Sequence, residues 1–332
     1  MHPTLATLRF LVLITTLLFT AHASALDVTR DNVKQFINNM VETHNLDRES
    51  VTNVLKQVEI KESILEAMRR PAEKSKAWHE YRNIFLKERR INQGVAFWQE
   101  HREAIERVSK ERGVPPEIIV AIIGVETNYG RLKGSYRVID ALATLAFDYP
   151  RRSPFFTKEL ENFFLLANEE PIDLLAAKGS YAGAMGAPQF MPSSYRNYAS
   201  DGDADGSIDL FNNWDDVFAS IANYFIDHGW QSEAPIVSRA TADLRLAKRL
   251  ELKRILAVYR VGFLHSQGIE FDSTAHEDEL ALVMNLEGKD EIETWVGYEN
   301  FYVITRYNHS KMYAMAVHQL GQNIRQGVEA LD

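Results

Sequence analysis

The stretch that decides the fold is also one of the most apolar in the chain: Pro115-Pro116-Glu117-Ile118-Ile119-Val120-Ala121-Ile122-Ile123-Gly124-Val125-Glu126-Thr127-Asn128-Tyr129-Gly130. The two prolines are typical of a helix start, and a glycine such as Gly130 is typical of the position just past a helix end. Every residue from 118 to 125 is apolar or glycine. The pattern therefore predicts a helix that is buried on nearly all sides.

Glu126 places a carboxyl group at the end of this predicted helix. The group would lose water there and would face the negative end of the helix dipole. Both effects disfavour the anion and predict a raised pKa. That is the environment of a general acid that works near neutral pH. The alternative is a solvated glutamate at a helix end, which is the commoner case, and position alone does not decide between them.

Composition and charge exclude several classes of protein. The chain has 332 residues, of which 45% are hydrophobic, and its net charge is −9. That size allows one large core with one or two smaller lobes, and the acidic balance argues against nucleic acid as the main partner. The chain contains no cysteine, which excludes disulfides, thiolate metal sites, a cysteine nucleophile and a lipid-modified cysteine.

The first 25 residues have the pattern of a secretory signal peptide. Arg9 precedes an apolar run over residues 10–19, and Ala23-Ser24-Ala25 offers small residues for cleavage. We expect cleavage after Ala25 and a soluble protein in the periplasm. The apolar run over 118–125 has only eight residues, so no later stretch is predicted to span a membrane.

Four segments follow from the patterning. Residues 26–112 have apolar side chains at three- and four-residue spacing, which predicts an N-terminal α-helical lobe. Residues 113–230 alternate helical patterns with glycine-rich loops and form the predicted catalytic core. Residues 231–293 contain strand-like pieces at 235–238 and 280–284, which predict a small β-containing lobe. Residues 294–332 return to the core through a helix predicted over 312–324.

A glycine-rich segment over 179–195 supplies a second set of polar and aromatic groups. Three glycines in it let the backbone approach a ligand closely. Ser180, Tyr181 and Gln189 offer hydrogen bonds to sugar hydroxyls or amides. Phe190, Met191 and Tyr195 offer apolar faces for sugar rings. A purely structural turn explains the glycines equally well.

An acidic loop matches the calcium loop of an EF-hand: Asp201-Gly202-Asp203-Ala204-Asp205-Gly206-Ser207-Ile208-Asp209. Carboxylates at alternating positions converge on a hard cation, and Ser207 can offer its backbone carbonyl. Position twelve is Asn212 where a bidentate glutamate is expected, so Asp215 or Asp216 would have to reach back from the next helix. The loop predicts a structural Ca²⁺; the alternative is a solvated acidic turn.

Several long motifs in a fixed order resemble the membrane-bound lytic murein transglycosylase B family. The first is the sequence from Gly124 to Gly130, and it is followed by Gly183-Ala184-Met185-Gly186 and by residues 189–194. The resemblance continues through residues 301–310 and 313–317 and covers nearly all of the chain after residue 25. It implies a mainly α (α+β) fold, with a goose-type-lysozyme-like helical core, an α-helical lobe and a small β lobe.

The resemblance also implies an activity and a set of residues. It implies cleavage of the bond between N-acetylmuramic acid and N-acetylglucosamine in peptidoglycan, with Glu126 as the sole catalytic acid. The position of the acidic loop's last ligand in the family favours Asp216. The residues implied to line the cleft are Ser180, Gln189 and Asn308, together with the aromatics Tyr81, Phe190, Tyr224, Tyr307 and Tyr313. The family's lipoprotein members are anchored through a cysteine, which this chain lacks.

A single carboxylate suggests a particular mechanism. Ordinary glycosidases use two carboxylates, and Asp140 and Asp148 lack a context comparable to that of Glu126. Substrate assistance removes the need for the second group, because the N-acetyl oxygen of muramic acid can attack its own C1. Glu126 would then act as acid and afterwards as base, and the products would carry a 1,6-anhydro ring.

Other interpretations stay open at this point. A hydrolytic muramidase would use the same Glu126 with water, and a non-catalytic, calcium-dependent protein would bind the wall as a scaffold. Arg151 and Arg152 are either surface charges or contacts to the acidic peptide stem or lactyl carboxylate of peptidoglycan. No catalytic cofactor is expected. Glycan strands are the expected partner, and the expected protein partners are cell-wall synthesis or remodelling proteins.

Overall fold

The computed structural model describes residues 24–69 and 76–332. The predicted signal peptide therefore lies outside the described residues except for Ser24 and Ala25, and it stays a prediction. These two residues form strand β1 (Ser24–Ala25), which pairs antiparallel with β2 (Glu59–Ile60). Among the described helices, none has the length and apolar character needed to cross a bilayer.

The N-terminal part is helical, as its spacing predicts. Within the described residues before 113, the helices are α1 (Asp31–Glu42), α2 (Arg48–Leu55), α3 (Glu62–Arg69), α4 (Trp78–Phe85), α5 (Glu88–Glu100) and α6 (Arg102–Arg112). The apolar residues of α1 recur at three- and four-residue spacing and are buried. Phe36 on this helix packs its ring 5.9 Å from that of Phe147 and 5.7 Å from that of Phe164, which joins the N-terminal lobe to the core.

The central part surrounds the apolar helix with others. Its elements are α7 (Pro116–Thr127), β3 (Tyr136–Arg137), α8 (Val138–Asp148), a 3₁₀ turn (Pro150–Arg152), α9 (Ser153–Glu169), β4 (Lys178–Gly179), α10 (Pro192–Tyr198) and α11 (Trp214–Asp227). Residues 117–124 of α7 are all buried, which confirms the prediction of a helix enclosed on nearly all sides. The only charged residue in that run is Glu117. Burial raises its pKa, and its Oε1 lies 3.5 Å from Arg325 Nη1.

A small antiparallel sheet follows the central part. Its elements are β5 (Val237–Ala240), α12 (Leu244–Leu250), β6 (Tyr259–Arg260), α13 (Val261–Ser266), β7 (Leu280–Glu287) and β8 (Ile292–Tyr298), and the strand order is β5-β8-β7-β6. Alternate residues of β7 face opposite sides. Leu282 and Met284 join the main core, while Ala281 and Val283 pack into a separate cluster with α12. The predicted boundary at residue 293 cuts through β8, so the sheet extends five residues further than expected.

The chain ends in two helices that return to the centre. α14 (Glu299–Tyr307) is followed by α15 (Lys311–Glu329), which contains the predicted helix over 312–324 and is longer at its C-terminal end. Ser310 caps α15 by accepting a hydrogen bond from the backbone N–H of Tyr313 at 3.3 Å. α15 packs against α7, α5 and α4. The predicted mainly α fold with a small β lobe is confirmed.

Buried His318 on α15 should make stability depend on pH. Its Nδ1 is buried without a hydrogen-bond partner among the described residues, and burial lowers its pKa to about 4. Since the pKa is lower in the folded than in the unfolded state, its contribution is complete above about pH 6.5 and is lost as pH falls toward 4. We expect the melting temperature to drop over this range by on the order of 5 °C.

The His318→Gln variant should show a smaller drop, since glutamine does not titrate. His309→Gln, at an exposed position, is the matched control and should keep the slope of the original protein. Thermal melts between pH 7 and 4 measure the difference. Equal slopes in the two variants would show that His318 does not carry this dependence.

Candidate active site

Glu126 occupies the last turn of α7, next to its final residue. Unlike residues 117–124 of the same helix, its side chain is partly exposed. The Tyr313 hydroxyl donates a hydrogen bond of 2.6 Å to Glu126 Oε1. A group at the open end of a buried helix is held by the core on one side and can reach a ligand on the other.

The chain leaves α7 through three successive residues in the left-handed region. Asn128, Tyr129 and Gly130 have φ values of 51°, 60° and 75°, and the first two are unusual there because they carry side chains. This turn folds Tyr129 back under the helix. A Cβ at Gly124 would lie 2.8 Å from Tyr129 Cε1, so glycine is required at 124 for the close approach. The turn fixes where α7 ends, and hence where Glu126 lies.

Arg90 on α5 also holds the end of α7, and sequence reasoning missed it. Its Nη1 donates to the carbonyl oxygen of Gly124 at 2.8 Å, one of the carbonyls that a helix leaves unpaired at its C-terminus. The hydroxyl of Tyr129 in turn donates to Arg90 O at 2.8 Å. These contacts join residues far apart in the chain, so no local pattern could reveal them. Arg90 is a positioning residue for the turn that presents Glu126.

Two tyrosines predicted for the cleft meet at Glu126. Burial and then the charge of Glu126 raise the pKa of both Tyr307 and Tyr313 well above the ordinary value, so both keep their hydroxyl protons at neutral pH. The Tyr307 hydroxyl donates to Pro188 O at 2.7 Å. Tyr313 is therefore the hydrogen-bond donor to the carboxylate, and Tyr307 ties the glycine-rich segment to the same place.

The glycine-rich segment folds into a compact loop that is linked to α7. Met185 and Phe190 exchange backbone hydrogen bonds of 2.8 and 3.0 Å, and Thr127 Oγ1 lies 3.0 Å from Ala187 O. Ser180 Oγ accepts from Ala184 N at 3.0 Å. Gln189 Nε2 donates to Lys133 O at 3.2 Å and to Gly186 O at 3.0 Å, so the atom that Gln189 would offer a ligand is Oε1.

Two aromatic residues predicted for the cleft are largely buried in the structure. Phe190 is 2% exposed and Tyr224 8% exposed. Their rings lie 5.6 Å apart and within 5.9 Å and 4.8 Å of the Tyr307 ring, and the Tyr224 hydroxyl donates to Arg306 O. These two rings therefore support Tyr307, and their predicted contact with a sugar stays a prediction.

The other predicted cleft residues are more dispersed. Tyr81 on α4 is 2% exposed, and its charge interaction with Tyr313 places it toward the same site. Asn308 is half-buried at the end of α14. Arg151 and Arg152 are exposed in the 3₁₀ turn before α9, where the Arg152 guanidinium lies 4.2 Å from the centre of the Phe155 ring. Their predicted contacts to peptidoglycan stay predictions.

The two acids that follow Glu126 most closely in sequence, Asp140 and Asp148, are bound elsewhere. Asp140 is buried, and its oxygens accept hydrogen bonds of 2.7 Å from Arg137 and 2.9 Å from Glu59 N. Asp148 Oδ1 pairs with Arg30 Nη2 at 2.7 Å. Carboxylates held in ion pairs of this kind have structural roles, so neither is a natural nucleophile or base.

The acidic loop gathers three carboxylates. Asp201, Asp203 and Asp205 each offer an oxygen, and these oxygens lie within 4.8 Å of one another. Backbone N–H groups of Ala204 and Gly206 donate to Asp201, which folds the loop around the cluster, and Gly206 supplies the turn with φ of 91°. Three negatively charged groups lie close together here, and their oxygens are the kind of ligand that a hard cation such as Ca²⁺ prefers.

Asp216, the predicted last ligand of the acidic loop, is a residue of the first turn of α11, and its role as a ligand stays a prediction. It is fully buried, and its two oxygens accept backbone hydrogen bonds of 2.7 Å from Gly202 and from Asp209. The first turn of α11 carries this side chain inward, where it joins the two ends of the loop. The side chain of Ser207 donates to Asp205 Oδ1 at 3.0 Å, which leaves its carbonyl as the group for the predicted contact.

Lys133 connects the acidic loop to the glycine-rich segment, and sequence reasoning missed this residue too. Its Nζ donates to Phe211 O and lies 5.7 Å from the centre of the Trp214 ring, while its backbone oxygen accepts from Gln189. Ala187 N also donates to Leu210 O at 3.1 Å. The loop that could hold a cation is therefore packed directly behind the predicted cleft.

Comparison with known proteins agrees with this architecture. Residues 29–322 match the family described as Transglycosylase SLT domain. The membrane-bound lytic murein transglycosylase B of Escherichia coli (strain K12) is 42% identical over 305 residues, which cover 88% of this chain and 82% of that protein.

Two solved structures have the same fold. The soluble lytic transglycosylase SltB1 from Pseudomonas aeruginosa superposes with a TM-score of 0.84 at 47% identity, covering 88% of this chain and 98% of that one. The Escherichia coli lytic transglycosylase Slt35 in complex with calcium superposes with a TM-score of 0.83 at 40% identity, covering 92% and 96%. The predicted resemblance is confirmed, and the chain belongs to the transglycosylase SLT family as an enzyme of the lytic transglycosylase type.

Proposed function

We propose that the enzyme cleaves the β-1,4 bond between N-acetylmuramic acid and N-acetylglucosamine in peptidoglycan, and that Glu126 is its one catalytic carboxyl group. The observation that carries this proposal is the position of Glu126 at the open end of a buried helix, with Tyr313 as hydrogen-bond donor at 2.6 Å. Family membership supports the substrate, since a relative is called a murein transglycosylase.

The reaction begins with proton transfer from Glu126 to the glycosidic oxygen, which leaves as the O4 hydroxyl of N-acetylglucosamine. The carbonyl oxygen of the muramic acid N-acetyl group attacks C1 and forms a bicyclic oxazolinium ion. The Glu126 carboxylate then takes the proton of the C6 hydroxyl. O6 attacks C1, the bond from C1 to the acetyl oxygen breaks, and a 1,6-anhydro ring closes. Glu126 is protonated again and no water is consumed.

The surrounding residues bind and orient in this proposal. Ser180, Asn308 and the Oε1 atom of Gln189 offer hydrogen bonds to sugar hydroxyl and N-acetyl groups. The Tyr313 hydroxyl stabilises the Glu126 carboxylate once its proton has left. Arg151 and Arg152 lie exposed, where they would meet the carboxylates of a peptide stem. Cleavage of a signal peptide would place this machinery in the periplasm, where peptidoglycan is found.

The end groups of the products test the proposal. Purified sacculi digested with the enzyme should release fragments that end in 1,6-anhydromuramic acid, each lighter by one water than the hydrolysis product. Mass spectrometry of the soluble fraction distinguishes the two. Ordinary reducing ends throughout would indicate a hydrolytic muramidase. Binding to sacculi with no fragments released would indicate a non-catalytic scaffold.

We further propose that the acidic loop binds a structural Ca²⁺ through Asp201, Asp203, Asp205 and the carbonyl of Ser207. The convergence of three carboxylates supports this, and so does the structure of a relative, Slt35, in complex with calcium. Ca²⁺ would offset the repulsion among these charges and fasten the loop on which the glycine-rich segment packs.

Thermal melts test the calcium site. We expect millimolar Ca²⁺ to raise the melting temperature by several degrees relative to EDTA, because a ligand that binds only the folded state stabilises it. The Asp203→Asn variant should lose most of that shift. Asp290→Asn, an exposed acid in the turn between β7 and β8, is the matched control and should keep it. The same melting temperature with Ca²⁺ and with EDTA in the original protein would rule out a stabilising site.

A further inference from the structure

Residues 244–260, which form α12, the loop after it and β6, differ in charge from the rest of the chain. The segment contains six basic residues and one acidic residue, although the whole chain has a net charge of −9. The acidic residue, Glu251, is paired with Lys311, which lies outside the segment. The segment is therefore a local concentration of positive charge on an acidic protein. We term residues 244–260 the basic segment.

Most of this positive charge is exposed and unpaired. Arg260 pairs with Asp278 at 3.0 Å. The other five cations are exposed, and none has a carboxylate within 4.0 Å among the residues that the structure describes. They are Arg245, Lys248, Arg249, Lys253 and Arg254. Five free cations so close together repel one another, and an anionic surface would relieve that repulsion.

The same segment exposes large aliphatic side chains. Leu244, Leu252, Leu256 and Val258 are 39%, 42%, 38% and 46% exposed, and they make up four of the twelve large hydrophobic residues exposed in the described chain. Single exposed hydrophobics are ordinary, but four within seventeen residues of sequence form a concentration typical of an interaction surface. The basic segment thus combines exposed cations with exposed aliphatic side chains, and this combination is typical of a surface that binds a partner.

The fold keeps these groups on the outside. α12 buries Ala247 and Leu250 against the sheet, so Lys248 and Arg249 project from the opposite side of the helix. In the loop that follows, Leu252, Arg254 and Leu256 line one pocket. Cationic and aliphatic side chains therefore share a surface at the edge of the small β lobe, where β6 is the outermost strand.

We propose that the basic segment binds the enzyme to the surface of a bilayer with anionic headgroups. The cations match the lipid phosphates, and the leucines and valine can enter the boundary between headgroups and acyl chains. Peptidoglycan stem carboxylates would match the cations alone, and nothing in a glycan strand accounts for four exposed aliphatic side chains. Such docking needs no membrane-spanning helix, and it uses no residue assigned to the cleft.

Vesicle co-sedimentation of the purified protein tests this proposal. At low salt the protein should pellet with vesicles of phosphatidylglycerol and phosphatidylethanolamine, but not with vesicles of phosphatidylcholine alone. Binding should weaken as salt is raised. Lys248→Glu, Arg249→Glu, Lys253→Glu and Arg254→Glu, combined in one variant, should reduce binding to anionic vesicles on the order of 10-fold or more. Leu252→Ser with Leu256→Ser should weaken it independently of charge.

A control variant with the same change in net charge distinguishes an effect of the basic segment from an effect of the protein's total charge. Arg48→Glu, Lys56→Glu, Lys110→Glu and Lys289→Glu change the net charge equally at exposed positions outside the segment, and should leave vesicle binding nearly unchanged. Both variants should keep the circular dichroism spectrum and the activity on soluble glycan fragments. Equal loss in both variants, equal binding to neutral and anionic vesicles, or no vesicle binding at all would overturn the proposal. Loss of sacculus binding without any lipid binding would assign the segment to the wall.

Discussion

The Glu126→Gln variant should lose peptidoglycan cleavage by about 10³-fold or more, since general acid and base catalysis each contribute roughly 10²- to 10⁴-fold. The same carboxyl group serves both steps, and an amide can neither give a proton to the leaving oxygen nor take one from the C6 hydroxyl. Glutamine has nearly the same shape and can still accept a hydrogen bond from Tyr313. We therefore expect the loss in turnover, with sacculus binding and melting temperature almost unchanged.

Glu117 on the same helix provides the matched control. It is a buried glutamate near the other end of α7, 7% exposed, with Arg325 at 3.5 Å and no place in the cleft. Because glutamine has nearly the same shape, the Glu117→Gln change removes only the pairing with Arg325 and should leave turnover within about twofold. Assays of fragments released from sacculi compare the two variants. Comparable activity in both would remove Glu126 from the proposed mechanism.

The Tyr313→Phe variant should lower turnover by about 10- to 100-fold. A hydrogen bond to a charged group contributes about 1.5–3 kcal/mol, and every 1.36 kcal/mol is about tenfold in rate. The 2.6 Å contact stabilises the carboxylate that forms when Glu126 gives up its proton. The effect should therefore appear in kcat, with a small change in KM, because the hydroxyl acts on the catalytic group rather than on the sugar.

Tyr298 in the β lobe provides the matched control for the Tyr313→Phe variant. Its ring is 1% exposed, and its hydroxyl bonds to Ser238 Oγ at 3.0 Å, so Tyr298→Phe also removes one buried hydroxyl. That variant should lose some stability and keep its kcat. If Tyr313→Phe behaved like Tyr298→Phe, with a lower melting temperature and unchanged kcat, Tyr313 would have a structural role only.

The sequence predicted those parts of the molecule that local patterns control. The run of apolar residues between Pro115 and Gly130 predicted a buried helix with Glu126 at its end, and α7 confirms it. Alternating carboxylates predicted the convergence of Asp201, Asp203 and Asp205. In both cases the spacing of residues along one element sets the geometry, so no knowledge of distant contacts was needed.

The contacts made across the fold could not be predicted in this way. Glu126 and Tyr313 meet although 187 positions separate them. The resemblance to a family suggested Tyr313 only as an aromatic residue of the cleft, and nothing in the sequence predicted its hydrogen bond to Glu126. Arg90 and Lys133 act through backbone carbonyl groups, which carry no signature in sequence. Phe190 is an aromatic residue that the resemblance placed in the cleft, but its ring is buried in the structure. Aromatic side chains occur both in cores and on sugar-binding faces, so residue type alone does not predict which of the two applies.

The boundaries of the β lobe and the role of Asp216 show a related difficulty. The sheet continues through β8 to Tyr298, beyond the predicted end, because the hairpin partner of β7 lies in the segment that composition grouped with the C-terminal helices. Asp216 lies at the distance along the chain that a metal ligand needs. The first turn of α11 also directs its side chain inward, where it accepts hydrogen bonds from two backbone N–H groups, and spacing along the chain does not predict these contacts.

We propose that one carboxyl group, Glu126, closes the anhydro ring without water. Digestion of sacculi in water enriched in heavy oxygen, followed by mass spectrometry of the released fragments, shows whether water takes part. We expect 1,6-anhydro ends that contain no heavy oxygen, and no such fragments from the Glu126→Gln variant. Fragments with reducing ends that carry one heavy oxygen at C1 would show that water attacks C1 and that Glu126 does not close a ring.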